Sequence, residues 1–144
     1  MTAKTYLNKI RLLDIKINDG LEEMAHLKAM ATKVTAAMDG EVVSSSKSPD
    51  KLTDVVAKII KLQEDLNRDV DKYVDIKQEA LDLLNSIENP AHYKILYSRY
   101  VLYKTWEQIA CELDFTYQWV CKLHGVALLE FEKIMKNSGL IDRN

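Results

Sequence analysis

Glycine and proline are scarce in this chain, with four of the former and two of the latter in 144 residues. Few positions can therefore break or redirect a helix, and long uninterrupted helices are the simplest organisation. Cysteine is scarcer still. Cys111 and Cys121 form no CxxC pair, and with no secretory leader read at the N-terminus they are expected as reduced thiols in a cytoplasmic protein. No apolar run approaches the ~18–20 residues that span a bilayer, so no membrane association is expected. A formal charge of −2 excludes a histone-like basic protein. That charge is uneven: residues 1–89 hold 13 Lys and Arg against 16 Asp and Glu, whereas residues 90–144 hold 7 against 6.

Catalytic signatures are also missing. There is no glycine-rich phosphate loop, no metalloprotease helix and no serine or cysteine beside a plausible base, so neither enzymatic activity nor a cofactor is expected. Glu64, Asp65, Asp69, Asp71 and Asp75 read as the solvated face of an amphipathic helix. Cys121 and His124, three residues apart, could place two metal ligands on one helix face, but no second pair stands at a suitable distance. No metal is expected.

What is present is helical periodicity. Tyr6, Ile10, Leu13, Ile17, Leu21, Met24, Leu27, Ala31, Val34 and Met38 recur in steps of three or four, giving one apolar stripe over about residues 5–38. Gly20 is expected to bend or break this helix. Serine, glycine and proline then dominate residues 39–50, which read as a loop. A second stripe begins near Ser48-Pro49-Asp50 and continues to about Glu88 through Leu52, Val55, Ile59, Leu62, Leu66, Val70, Tyr73, Ile76, Ala80, Leu83 and Ile87. Its one irregular spot is Asp69-Val70. A narrow stripe on so long a helix needs a partner helix. Residues 1–88 are accordingly expected to form a coiled-coil-like helical hairpin that serves oligomerisation.

From Asn89 the pattern shortens, and residues 89–144 are expected to form a separate domain. Asn89-Pro90 is a helix start. Thr105-Trp106-Glu107-Gln108 is a capping box that opens a short helix containing Ile109, Ala110 and Leu113. Asp114-Phe115-Thr116 is a tight connection, with Thr116 capping a helix from Tyr117. That helix carries Val120, Leu123, Ala127, Leu128 and Phe131 inward. Such a pair is a helix-turn-helix, with Ala110 at the close crossing and Phe115 buried in the turn. Its second helix would leave Tyr117, Gln118, Cys121 and Lys122 free for bases, with His124 and Gly125 further along. Lys104 and the helix starts at Thr105 and Thr116 are placed for phosphates.

The stretch TWEQIACELDFTYQWVCKLHGVALLEF, residues 105–131, resembles region four of bacterial sigma factors. With Arg99-Tyr100 before the capping box and the H-G-x-A-L tail from His124 to Leu128, the layout is similar to small phage and prophage proteins of the ArpU and RinA type. The close resemblance covers about a third of the chain and implies an all-α fold and a late-transcription regulator. Its partners would be double-stranded DNA, RNA polymerase and a second copy of the chain, with a dimer the first expectation. Two positions depart from the pattern: Asp114 replaces the usual turn glycine, and Trp119 stands where arginine is common in the reading helix. The alternatives are a protein-binding adaptor and a DNA-packaging component like the small terminase subunits.

Overall fold

The computed structural model describes residues 1–40 and 47–140, and their regular structure is entirely helical. Helix α1 spans Ala3–Gly40 and α2 Lys47–Leu84. Then come α3 (Pro90–Leu96), a π-helical segment (Tyr97–Val101), α4 (Trp106–Leu113) and α5 (Tyr117–Asn137). The chain is all-α. Among the described residues no helix is long and apolar enough to cross a membrane. The loop expected over 39–50 lies outside the described residues except for the helix ends that bound it.

The structure divides into two compact units. The first combines Met1–Leu13 with Tyr73–Asn144. The second is Asp14–Lys72. The division therefore does not fall at residue 88, where composition changes. The reason is the first unit's core, in which Tyr6, Leu7 and Ile10 of α1 and Ala80, Leu83 and Leu84 of α2 pack with Leu96, Ala127, Phe131 and Met135. Tyr6 adds a polar tie, its hydroxyl donating to Glu79 Oε1 at 2.6 Å. Burial, followed by the Glu79 hydrogen bond and charge, pushes its phenol far above the ordinary value. Asn89 turns the chain into α3, its side chain accepting from the amides of Ala91 and His92.

In the second unit α1 and α2 run antiparallel, Lys16 facing Asp69 and Gly20 facing Leu66. Most of the expected stripe is inward, with Ile17, Met24, Leu27, Val55 and Leu66 buried. Two expectations are corrected here. Leu21 and Val70 are not inward: they are 54% and 41% exposed. Gly20 and Asp69 take the facing positions because they, and not Leu21 and Val70, keep the alternating three- and four-residue steps that join Ile17 to Met24 and Leu66 to Tyr73. Nor does Gly20 break α1, which continues to Gly40. It provides space instead: a Cβ there would run into Leu66 Cδ2. Asp69, nearly buried, is compensated by Lys16 Nζ at 3.5 Å.

Gly20→Ala thus sets about 1 kcal/mol of helix propensity against about 1–3 kcal/mol of overpacking. We expect a net loss near 1 kcal/mol by urea denaturation. Gly20→Ala with Leu66→Ala should cost less than the two single losses added; full additivity would mean the two side chains do not meet.

Candidate nucleic-acid interface

The candidate surface is built from α4, the connection at 114–116 and the first turns of α5. Local chemistry fixes each piece. Thr105 and Gln108 form a reciprocal capping box: Gln108 N donates to Thr105 Oγ1 at 3.2 Å, and Thr105 N donates to Gln108 Oε1 at 2.9 Å. Helix α4 stops at Asp114, which adopts the left-handed conformation that a turn glycine would take, with φ 57° and ψ 40°. The Phe115 amide then reaches back to the Ala110 carbonyl at 3.0 Å. Thr116 restarts the chain, accepting from Trp119 N at 3.1 Å. Ile95, Ile109, Ala110 and Val120 form a small core between α3, α4 and α5, with Trp106, Leu113 and Leu123 packed around it.

A second set of contacts lies behind this pair. In the π-helical segment the Leu102 amide bonds the Tyr97 carbonyl, five residues back. Arg99 and Tyr100 are neighbours there with different tasks. The Tyr100 hydroxyl and His124 Nε2 share a buried hydrogen bond of 2.7 Å. The Trp106 ring meets the His124 ring edge-on, centroids 4.5 Å apart. Arg99 caps the stack with its guanidinium 4.4 Å from the Trp106 ring, and also donates to the Lys104 carbonyl at 3.0 Å. That second bond holds the reversal at Tyr103, a bulky residue at φ 57°.

The residues expected to contact DNA separate into three groups. Tyr117, Gln118, Trp119 and Lys122 are exposed along the start of α5, and Cys121 is half-buried beside them. Lys122 Nζ lies 5.6 Å over the Trp119 ring. Cys121, chiefly by a hydrogen bond, raises the Tyr117 phenol above its usual value. Lys104 and Thr105 keep their places at the start of α4, but both are engaged. Lys104 Nζ is paired with Glu112 at 2.6 Å, and the Thr105 amide is taken by Gln108. Thr116 caps α5 through its side chain; the Tyr117 and Gln118 amides are among those that helix geometry leaves without intrahelical acceptors.

His124 departs from expectation altogether. It is buried, on the face shared by Val120, Ala127 and Phe131, and cannot lie on the free surface. The steps from Val120 through His124 and Ala127 to Phe131 are four, three and four, so its phase in the apolar stripe was a readable signal. Phe115 is the reverse case. Expected inside the turn, it is 37% exposed and joins Tyr117 and Trp119 as an outward aromatic, because Ile109, Ala110 and Val120 already fill the small core. Spacing alone gave no sign that Glu112 would neutralise Lys104 across α4. Among the described residues, no group of three or more potential metal ligands comes together.

The chain was compared with family models, curated proteins and solved structures. Nothing matches.

Burial, with Lys4 and Arg99 nearby, lowers the His124 pKa from 6.5 to about 4. The folded state thus disfavours the charged ring. Its stability contribution is fully present above pH 6.5 and is lost as pH falls through about 4. Thermal unfolding followed from pH 7 down to 5 should show a falling Tm in the native chain and a shallower fall in His124→Gln. Equal slopes would remove His124 as the titrating group.

Proposed function

We propose that this protein is a sequence-specific, double-stranded-DNA-binding transcription regulator of phage or prophage type, with α4 and α5 acting as a helix-turn-helix. In this reading α1 and α2 form a helical hairpin that carries the reading unit. The resemblance of residues 105–131 to sigma region four, and of the wider layout to ArpU- and RinA-type proteins, belongs to the same proposal. So does cytoplasmic location, a homodimeric state and a contact with RNA polymerase.

The observation that carries the reading is the uncovered start of α5. Tyr117, Gln118 and Lys122 project from a capped helix whose opposite face is fixed by Val120 and His124. A side-chain amide at this position can pair with an adenine edge, a lysine with guanine or phosphate, and a tyrosine ring can pack on a thymine methyl. The first amides of α5 point the same way and favour a phosphate. The small positive charge of residues 90–144 means that affinity draws on two heads bound together, each weak alone.

A second reading has its own support. Phe115, Tyr117 and Trp119 are exposed together, and Lys104 is neutralised by Glu112. An aromatic patch poor in free charge is also the composition of a protein-docking surface. Such a surface would fit an adaptor. A packaging component of small-terminase type would combine the same reading unit with a larger assembly.

The two readings part in a selection from a randomised duplex library, followed by fluorescence anisotropy on enriched DNA over a salt series. The regulator reading predicts an enriched motif, an affinity that falls with salt, and a loss of about tenfold or more for both Gln118→Ala and Lys122→Ala. Unchanged affinity in both variants removes α5 as the reader, and failure to enrich any sequence favours the adaptor.

A further inference from the structure

Helix α2 carries a second row of side chains besides the one it packs against α1. Val56, Ile60, Gln63, Asn67, Val70 and Val74 follow one another at steps of four, three, four, three and four, which is heptad spacing. The row faces outward: its four aliphatic members are 41%, 55%, 41% and 56% exposed, and both amides are exposed. It holds no charged residue. The outward aliphatic residues of α1, Leu12, Ile15, Leu21 and Met30, keep no such spacing.

In spacing and in residue class, aliphatic or amide, the row is also the same read from either end. Val56 and Val74 stand equally far from Asp65, as do Ile60 and Val70, and as do Gln63 and Asn67. We propose that this face of α2 is the seam of an antiparallel homodimer whose two-fold axis passes beside residue 65. A symmetric contact requires a patch complementary to itself after a two-fold rotation. Here Val56 meets Val74 of the second copy, Ile60 meets Val70, and Gln63 meets Asn67.

The central amides make the occupant specific. Gln63 Nε2 donates to Asn67 Oδ1 at 3.1 Å. This leaves Gln63 an oxygen acceptor and Asn67 an N–H donor, which are what the Asn67 and Gln63 of an antiparallel copy require. An aliphatic partner would bury these groups unpaired, and a shifted register would set them against valine, both costly. Glu64 flanks the centre and faces Glu64 of the second copy, so the dimer tightens as salt screens that pair.

The seam does not depend on the DNA reading. It is tested on the full-length protein by sedimentation velocity over a concentration series, with circular dichroism to verify helix content. All the substituted positions are exposed in the single chain, so the fold should be retained. The native protein is expected to dimerise, and Ile60→Lys alone or Val70→Glu alone should weaken the dimer at least about tenfold by placing an unpaired charge in the seam. The double variant Ile60→Lys/Val70→Glu should associate again, because each lysine then faces a glutamate of the other copy. In a parallel pair lysine would face lysine and association would fail. A native protein monomeric at about 100 μM overturns the dimer. Single variants that dimerise like the native protein, or a double variant that stays monomeric, overturn this seam and its direction.

Discussion

The candidate surface at the start of α5 depends on a neutral histidine. His124 sits inside α5 with Tyr100 hydrogen-bonded to its ring, Trp106 against its face and Arg99 behind Trp106. Three elements thereby share one contact: the π-helical segment, the first turn of α4 and the middle of α5. If the ring were charged, it would be a cation buried away from most water and repelled by Lys4 and Arg99. Kept neutral, it fixes how α5 rotates about its own axis. That rotation turns Gln118 and Lys122 outward.

The aliphatic seam between α1 and α2 shows the same economy of small adjustments. Its positions alternate steps of three and four residues along both helices, and that register is kept even where the sequence offers no large apolar side chain. Those places are Gly20 and Asp69. The glycine gives Leu66 room, and the aspartate is compensated by a lysine reaching from α1. Displacing Leu21 and Val70 outward follows directly. For Val70 the displacement completes an uncharged row on the second side of α2.

Charge and shape are distributed unusually for the DNA-binding role proposed for α4 and α5. The acidic excess lies in residues 1–89, and residues 90–144 hold only seven Lys and Arg, of which Lys104 is paired with Glu112. Steering by a strong positive field is thus weak, and selectivity would rest on short-range contacts from α5 and on two heads acting together. The exposed aromatics at 115, 117 and 119 fit this balance, because stacking and methyl packing need no charge.

Much of this was legible in the residues. Helix boundaries followed from caps and breakers: Asn89-Pro90, the Thr105–Gln108 box, Asp114 and Thr116 each act through neighbours one to five residues away. Such interactions are local, so sequence determines them alone, and the all-α class follows from them together with the apolar stripes. Other features needed the tertiary structure. His124 had its phase in the stripe but no visible partner, since Tyr100 lies 24 residues away and the π-helical turn that aims it has no composition of its own. The place of Phe115 was decided by how much volume Ile109, Ala110 and Val120 had already filled, and the loss of Lys104 as a free cation by a carboxylate across α4. Sequence spacing tells which residues share a face; packing alone decides which face is covered and by what.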